Sequence, residues 1–534
     1  MKSNLTQSWV PPATWLRFLV IILLLLGLFF RFVNLDRKVW WHDEGLTSLR
    51  IAGYTNEEVA LEVFDGRVIS VEDLQKYLYA NPEKNLIETV KSLAVSDVHP
   101  PLYFVTLRFW VQCFGKSGAV MRSWSAIISL LAFPAIYWLC LELFESSLIG
   151  WIAIILIAVS PFHVLYAQEA RHYTLWIVTI LLSSAALLRA MRLNTKFSWG
   201  IYAITLALGF YSFLFTGLVA IGHGIYVLAT ERWRLSKTWF AYMFASFGAT
   251  LTFMPWILVV IVNRASFQGQ SAWVTKNLGL RYLVSTWVTN ISSVFMDFWY
   301  FPSYFHLSVI DVPWGRFFIS FILVLVGYSI YFLCRNTPQQ VWLFILTLMG
   351  VTALALIMPD LISGGYRSSM SRYLTPCYLG IQLAVAYLLA TQINCVSNIW
   401  QQKLWQIVMS TLITGGVLSC AISSQAEGWS NKLVSGIDLP PVIHIINQAK
   451  SPIVILPDGA LGHVLAMSHK LKPTVRLQVG WKPDILKITN DFSEVFLYNP
   501  SRALKERIKK EQNFKIEPVY EGRRDWLGKL KQQP

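Results

Sequence analysis

The stretch LRFLVIILLLLGLFFRFVNLDRKVWWHDEG, Leu16–Gly45, indicates the fold class of the whole chain. It begins with an apolar run, Leu16 to Phe32, that is long enough for an α-helix to cross the hydrocarbon core of a bilayer. No small-residue cleavage pattern follows the run, so we interpret it as a retained span and not as a signal peptide. Two adjacent carboxylates, Asp43 and Glu44, lie just beyond this span.

The composition extends this interpretation to most of the chain. Of the 534 residues, 55% are hydrophobic and only 14% are charged, and the mean hydropathy is +0.48, which excludes an ordinary soluble globular protein. About eleven apolar runs approach the length of a membrane-spanning helix. They are residues 15–33, 123–142, 147–166, 173–190, 198–214, 216–230, 238–262, 315–334, 341–359, 373–391 and 404–422. The predicted fold class is a polytopic α-helical membrane protein.

The positions of the basic residues give the predicted orientation. Two basic clusters, at 189–196 and 232–237, lie between predicted spans, and such clusters favour the cytoplasmic side. The N-terminus is then cytoplasmic, provided that residues 99–115 do not cross. This apolar segment carries Arg108 and is short for a crossing, so we predict a re-entrant or partly submerged helix. The extracytoplasmic side would then hold the loops at 34–97, 167–172, 263–313 and 360–372 and the segment after about residue 425.

The chain divides by composition into two predicted domains. Residues 1–424 form a membrane module, and its first loop, 34–97, has apolar residues at the spacing of interfacial helices. After about residue 425 the chain becomes more polar, with strand-like SPIVILPDGA (451–460) and SEVFLYNP (493–500) and helix-like SRALKERIKKEQ (501–512). Residues 425–534 are therefore predicted to form a small soluble extracytoplasmic α/β domain.

The motif VWWHDEGLTSLRIAGY, Val39–Tyr54, places the two carboxylates beside aromatic residues. Two tryptophans and a histidine at positions 40–42 would surround Asp43 and Glu44 with a poorly solvated pocket, which suits a general base. The alternative is an ordinary pair of solvated loop charges.

The motif SDVHPPLY, Ser96–Tyr103, predicts the start of a helix. Its two prolines are pre-organised for the first turn, and the N–H groups of that turn form an anion site. His99 and Tyr103 are the candidate binding residues there, and the alternative is a plain helix start with a chance histidine.

The motif SPFHVLYAQEARHYTL, Ser160–Leu175, joins two apolar spans and contains Gln168, Glu169 and Arg171. Charged groups at such a depth are costly and tend to face a polar cavity. The alternative is a structural ion pair between Glu169 and a basic residue.

The motif GGYRSSMSRYLTP, residues 364–376, leads into another span and contains Arg367 and Arg372. Arginines at this position either bind a phosphate bidentately or anchor the chain to lipid headgroups. The sequence has no nucleotide-phosphate loop, so a lipid is the expected carrier of the phosphate.

Metal binding stays open at this stage. His42, Asp43, Glu44, His99 and Glu169 could together form a mixed nitrogen and oxygen site, but their spacings match no metal motif. A divalent cation is therefore a candidate cofactor, with Asp43 and Glu169 as its candidate ligands.

At these motifs the chain resembles the GT-C membrane glycosyltransferases, in particular the branch of the protein O-mannosyltransferases and the lipid A aminoarabinose transferase. WWHDEGLTSLRIA resembles the family's acidic-pair motif, HPPLYF its His/Lys-Pro-Pro start of the next helix, and SPFHVLYAQEARHYTL its second-loop signature. The likeness covers roughly residues 15–260, with a weaker one at 360–380. The chain departs from the aminoarabinose branch, which has lysine in place of His99, and it lacks the large luminal domain of the mannosyltransferases.

The resemblance implies an inverting transferase that moves a sugar from a polyprenyl phosphate to an acceptor hydroxyl of a protein, lipid or glycan. The reaction would take place at the outer face of a bacterial-type plasma membrane, with Asp43 and Glu44 as the catalytic acid pair and Asp43 as the base. The donor would bind His99, Tyr103, Gln168, Glu169, Arg171, Arg367 and Arg372. The implied partners are this donor, the acceptor and membrane lipids, and no nucleic acid.

A flippase or transporter of lipid-linked sugars is the main alternative. It predicts inverted repeats and discontinuous helices with polar residues near the bilayer midplane, whereas the charges of this chain gather at loop ends on one side. A non-catalytic membrane scaffold would leave the three ordered motifs without a purpose. The sequence does not identify the sugar or the acceptor.

Overall fold

The computed structural model describes residues 14–81, 83–96, 99–298, 313–394, 398–430, 432, 436–457, 461–480, 492–511, 514–522 and 525–532. Part of the predicted loop 263–313, from residue 299 to 312, lies outside the described residues. The chain separates into two compact units. The first unit comprises residues 1–33, 98–103 and 122–424, and the second comprises residues 34–97, 104–121 and 425–534.

Helices make up most of the described chain. In chain order they are α1 Thr14–Phe32, α2 His42–Ala52, α3 Asn56–Val63, α4 Val71–Gln75, α5 Leu86–Ser96, α6 Leu102–Phe114, α7 Gly118–Leu130, α8 Ala132–Phe144, α9 Ser147–Ala158, α10 Pro161–Ala167, α11 Tyr173–Leu193, α12 Lys196–Ser212, α13 Thr216–Thr230, α14 Lys237–Val262, α15 Arg264–Ser271, α16 Leu280–Ser293, α17 Pro313–Asn336, α18 Gln339–Ile362, α19 Thr375–Asn394, α20 Ile399–Gln425, α21 Leu439–Gln448, α22 Leu461–Ser468 and α23 Arg502–Glu511. Short 3₁₀ turns are Lys76–Leu78, Ala272–Thr275, Arg367–Ser369 and Ser371–Leu374.

The first unit contains the helices that are suited to a membrane. Among the described residues, 7 helices are long and apolar enough to cross, and the number rises to 8 if α9 and α10 together form one bent span. The seven are Gly118–Phe144, Tyr173–Leu193, Lys237–Val262, Gly315–Asn336, Gln339–Ile362, Ser371–Asn394 and Ile399–Gln425. All eleven predicted runs fall on helices, but α12 and α13 have 17 and 15 residues, fewer than the roughly 20 of a typical crossing. The protein is an integral membrane protein, and among the described residues length and composition support 7 or 8 of the eleven predicted spans.

The junction of α9 and α10 is bent by 61°, and the buried guanidinium of Arg31 on α1 supports it. Arg31 donates to the carbonyl of Ala158 at 2.8 Å, to the carbonyl of Ile157 at 3.1 Å and to Ser129 Oγ at 3.1 Å. Because the last carbonyls of a helix have no partner within the helix, these bonds stabilise the C-terminal end of α9. Gly27 permits the close approach of α1, since a Cβ there would lie 2.7 Å from the oxygen of Ala158.

The second unit contains a six-stranded mixed sheet. Its strands are β1 Asp65–Ser70, β2 Pro452–Pro457, β3 Arg476–Gly480, β4 Glu494–Tyr498, β5 Phe514–Glu521 and β6 Trp526–Gln532. The order is β1-β3-β2-β4-β6-β5, with β3, β2 and β4 parallel and the outer strands antiparallel. Strands β2 and β4 and helix α23 coincide with the predicted C-terminal elements. Strand β1 comes from the first loop, so this loop and the C-terminal segment form one sheet.

Helix α6 has 13 residues and falls on the segment that was predicted to be too short for a crossing. Its buried Arg108 donates to the carbonyl of Ile51 at 2.5 Å, to Thr89 Oγ1 at 3.0 Å and to the carbonyl of Lys84. These three partners belong to the first loop, so the charge of Arg108 is buried against protein.

Candidate functional site

The acidic pair lies in the first turn of α2, in the second unit. The helix begins after the extended residue Trp41 (φ −105°, ψ 170°) and ends at Gly53, whose φ of 90° is in the left-handed region that favours glycine. Glu44 is completely buried, and its carboxylate accepts the N–H of Trp41 at 3.4 Å. Glu44 therefore caps the helix, which is a structural role that the sequence analysis did not predict. Asp43 is the half-buried carboxylate of the pair.

The two tryptophans that precede the acidic pair pack within the second unit. Trp40 and Trp41 are both buried. The ring of Trp40 stacks on His469 at a centroid distance of 3.9 Å and an interplanar angle of 14°. The ammonium of Lys432 lies 4.1 Å from the ring centroid of Trp41. The two tryptophans thus pack against side chains of the C-terminal segment.

In the first unit, His99 and Arg171 come together although 72 residues separate them. Arg171 Nη2 lies 2.9 Å from His99 Nε2. Since a guanidinium only donates, this nitrogen of His99 is the acceptor, and the proton of the neutral ring is on Nδ1. The ring of His172 makes an edge contact with His99 at a centroid distance of 5.1 Å. The HPP motif and the second-loop motif therefore share one polar cluster.

Arg372 joins the same surroundings from the segment before α19. The guanidinium carbons of Arg372 and Arg171 lie 5.8 and 6.0 Å from the ring centroid of Tyr173. The guanidinium of Arg372 also lies 5.1 Å from the ring of Tyr373 and 5.9 Å from that of Trp273. Both arginines are buried, and a cation within about 6 Å of an aromatic ring is stabilised by it. The first unit thus gathers two guanidiniums around one tyrosine.

His172 does not add to this positive charge at neutral pH. Burial lowers the pKa of the His172 imidazole well below its usual range, and the nearby Arg171 lowers it further. The neutral ring packs against Phe213 at a centroid distance of 4.9 Å. The positive charge of the cluster therefore comes from the arginines.

Gln168 and Tyr103 hold the backbone of the cluster in place. Gln168 Nε2 donates to the carbonyls of Phe30 and Val33 at 2.8 and 3.0 Å, which ties the loop 168–172 to the end of α1. The hydroxyl of Tyr103 lies 2.7 Å from that of Ser125. Both side chains were predicted to bind the donor, and in the structure they make these contacts within the first unit.

The Ser125 hydroxyl also holds the backbone of Arg171, because it donates to the Arg171 carbonyl at 3.4 Å. Glu169, also predicted for the donor, is completely buried. The hydroxyl of Tyr166 lies in the electrostatic field of both Glu169 and Arg372 and 2.8 Å from Ser371 Oγ. Tyr166 therefore connects the two segments that carry the arginines.

Arg367 has a different environment from Arg372. Its Nη1 lies 3.0 Å from Asp360 Oδ1, and the other carboxylate oxygen of Asp360 accepts the N–H and the hydroxyl of Ser368 at 2.7 Å each. Asp360 is buried and therefore needs such partners. Arg367 was predicted to bind the donor, and in the structure it forms an ion pair that fixes the start of the loop.

The described residues contain no group of three or more histidine, cysteine, aspartate or glutamate side chains placed to hold a metal ion. The two candidate ligands, Asp43 and Glu169, belong to different units.

The sequence analysis missed several residues that build this cluster. It did not single out Tyr173, Tyr373 or Trp273, whose rings surround the guanidiniums, nor Asp360. Tyr173 and Tyr373 lie within two positions of an arginine in the sequence, which is a signal that could have been used. Trp273 and Asp360 give no local signal, because their partners are distant in sequence or separated by a helix end.

Residues 98–259 match the family model described as dolichyl-phosphate-mannose-protein mannosyltransferase. No curated protein matches the chain in sequence. Among solved structures, ArnT from Cupriavidus metallidurans bound to undecaprenyl phosphate is similar over 97% of this chain and 98% of its own, with a TM-score of 0.50 and 12% identity. The apo state of the same ArnT gives a TM-score of 0.51 with 13% identity, over 96% of this chain and 98% of that one.

The oligosaccharyltransferase of Archaeoglobus fulgidus in its apo form is also similar, with a TM-score of 0.47 and 13% identity, over 88% of this chain and 65% of that one. The family model covers the HPP motif and the second-loop motif, and the likeness to ArnT extends over nearly the whole chain. The chain therefore resembles the GT-C membrane glycosyltransferases, in sequence across residues 98–259 and in fold throughout.

Proposed function

We propose that this protein is an inverting glycosyltransferase that moves a sugar from a polyprenyl phosphate to an acceptor hydroxyl of a protein, lipid or glycan. One observation carries the proposal: Arg171 and Arg372, both buried, converge on the ring of Tyr173. With the carboxylate of Glu169 nearby, these three charged groups carry an excess of one positive charge. Arginines present parallel donors that match the oxygens of a phosphate, so the cluster suits a lipid-linked phosphate.

The proposed roles follow from the chemistry of the reaction. A polyprenyl phosphate is a good leaving group, so the reaction needs stabilisation of the departing phosphate more than a general acid. Arg171 and Arg372 would stabilise the negative charge that develops on this phosphate, and His99 would orient Arg171 through their hydrogen bond. Asp43 would remove the proton of the acceptor hydroxyl, which leaves Glu44 as the residue that caps α2.

The proposal includes the topology that the sequence predicts. Eleven crossings, a non-crossing α6 and an extracytoplasmic active face remain our interpretation, supported by the short length of α6 and by the burial of Arg108 against the first loop. A cysteine at Leu61, whose side chain is 83% exposed, tests the face. In intact cells it should react with a membrane-impermeant maleimide beyond the level of the parent chain, and protection until the cells are permeabilised would contradict the orientation.

The activity is tested by reconstitution with a panel of polyprenyl-phosphate sugars and measurement of the free polyprenyl phosphate released. Asp43→Asn should lower turnover by about 10² to 10⁴, the usual contribution of a general base, without loss of donor binding. Asp65→Asn is the matched control, because Asp65 is a half-exposed carboxylate of the second unit paired with Arg67. Wild-type turnover in Asp43→Asn would remove Asp43 as the base, and the anomeric configuration of the product tests inversion.

A transporter or flippase of lipid-linked sugars is the second candidate, and the bend of 61° between α9 and α10 favours it. Discontinuous helices are common at the binding sites of transporters. The test measures whether the intact lipid-linked sugar moves across the membrane of proteoliposomes. Such movement, without release of polyprenyl phosphate for any member of the panel, would favour this candidate over the glycosyltransferase.

A further inference from the structure

The segment that carries Asp43 is held on several sides by the C-terminal segment of the second unit. Before α2, the N–H of Val39 donates to the carbonyl of Glu427 at 2.8 Å. The indole N–H of Trp429, which is completely buried, donates to the carbonyl of Val39 at 2.7 Å. Both polar groups of the Val39 backbone are therefore fixed four residues before Asp43.

The first turn of α2 also lies directly on α22. A Cβ at Gly462 would lie 2.7 Å from the carbonyl oxygen of His42, and a Cβ at Gly45 would lie 2.5 Å from the carbonyl oxygen of Gly462. Non-bonded carbon and oxygen atoms do not come this close, and here the atoms that would have to move are backbone. The two glycines therefore set the distance between α22 and the turn that holds Asp43.

The side chain that follows Gly462 on α22, His463, is buried and hydrogen-bonded, and it ties α22 to the sheet. His463, next to Gly462, lies with its Nε2 2.5 Å from the hydroxyl of Tyr498 on β4, and the two rings stack at 5.4 Å. His463 is close enough to His42 for the two rings to interact electrostatically. Strand β4 thus connects through His463 to the first turn of α2.

We infer that the C-terminal segment contributes to catalysis by positioning Asp43, and that Gly462 and Trp429 are its positioning residues. This inference rests on the proposed role of Asp43 as the base. Neither residue is expected to touch the donor or the acceptor. Each acts by fixing the backbone on one side of Asp43, Trp429 before the helix and Gly462 beneath its first turn.

The consequence for the rate is large because catalysis depends on sub-ångström placement. A methyl group at position 462 needs a separation of about 3.4 Å or more from the oxygen of His42, so the turn must shift by about 0.7 Å. A misplacement of about 1 Å at a reacting group lowers the rate by about 10²-fold. We expect Gly462→Ala to lower kcat by about 10- to 100-fold with little change in the KM for the donor.

The experiment compares purified full-length variants by kcat, donor KM and the folded fraction after gel filtration. Gly45→Ala pushes on the same backbone contact from the other side and should give the same phenotype. A single increase in the distance between α2 and α22 would make room for both methyl groups. The kcat of the Gly45→Ala/Gly462→Ala double variant should therefore be no lower than that of the less active single variant. Gly528→Ala is the matched control, since its methyl would meet Trp526 and Ile516 in the same sheet and not α2.

A kcat of Gly462→Ala within about twofold of Gly528→Ala, or additive losses in the double variant, would overturn the inference. If Gly462→Ala does not fold, Trp429→Phe serves instead, because it keeps an aromatic ring but removes the N–H donated to Val39 along with the pyrrole part of the indole, and it should lower kcat by about 3- to 10-fold. Equal kcat values for Trp429→Phe and Gly528→Ala would then overturn it. Wild-type turnover in Asp43→Asn is the separate outcome that removes Asp43 as the base, and absence of polyprenyl phosphate release by the wild-type protein for every donor is the outcome that refutes the proposed function.

Discussion

Replacing Arg31 by methionine should destabilise the first unit through the bent junction of α9 and α10. The guanidinium donates to two carbonyls at the end of α9, at 2.8 and 3.1 Å, and to Ser129 Oγ. Methionine keeps most of the aliphatic volume but donates no hydrogen bond, so the Ala158 carbonyl loses its bond to Arg31 and the Ile157 carbonyl keeps only the N–H of Ser160 at 3.4 Å. A buried carbonyl without a partner costs about 1 to 3 kcal/mol, which is the expected loss for this variant.

The assay is unfolding by SDS in mixed micelles, followed by circular dichroism of the purified protein. Arg17→Met is the matched control, because Arg17 lies on the same helix with an exposed side chain and its loss should change the stability by no more than about 0.5 kcal/mol. Arg31→Lys keeps the charge with fewer donors and should fall between the two. Equal midpoints for Arg31→Met and Arg17→Met would refute the idea that Arg31 stabilises the end of α9.

Three further outcomes are expected. Burial lowers the pKa of His463 to about 3, so between pH 6.5 and pH 3 the unfolded chain binds one more proton than the folded chain. The free energy of unfolding of the second unit should therefore fall by about 1.4 kcal/mol per pH unit on acidification over this range. His463→Gln should lose this slope in hydrogen-exchange measurements, and an unchanged slope would contradict the assignment. Arg372→Met should weaken binding of undecaprenyl phosphate by about 10- to 100-fold in calorimetric titrations, with Arg372→Lys intermediate because lysine lacks the planar fork; wild-type affinity in both would argue against a phosphate role. Arg367→Met, which loses the ion pair with Asp360, should lower thermal stability but leave that affinity within about twofold, and a larger loss would return Arg367 to the donor site.

Hydrophobicity was sufficient to predict the helices of the membrane part, because a bilayer imposes a length and an apolar composition that are visible locally. Strand β1 was not predicted, since the sequence of the first loop favoured interfacial helices. Residues 65–70 become a strand by pairing with residues 476–480, and a pairing over that separation leaves no local pattern. Of the C-terminal strands, β2 and β4 were predicted because they are short apolar runs in a polar context, whereas β3, β5 and β6 were not predicted.

Residue type alone predicted which side chains of the first unit would gather, but not what each would contact. Arg171 and His99 were singled out as polar groups beside apolar runs, and the structure brings them together. Gln168 was predicted to bind the donor and Glu44, in the second unit, to act in catalysis. The contacts of these side chains with backbone groups were not predicted, because such contacts depend on the packing of neighbouring segments. Arg31 was overlooked although an arginine at the end of an apolar run is itself a signal.

The pairing of β1 with β3 has a consequence for how the protein is made. The two strands are separated by roughly 400 residues, which take on the order of 20 to 80 s to synthesise at about 5 to 20 residues per second. During this time β1 has no partner strand, and α2 lacks the support of α22. The first loop is therefore made long before its partner strand, and a nonsense mutation between residues 70 and 476 would leave β1 with an unpaired edge that is open to aggregation or proteolysis.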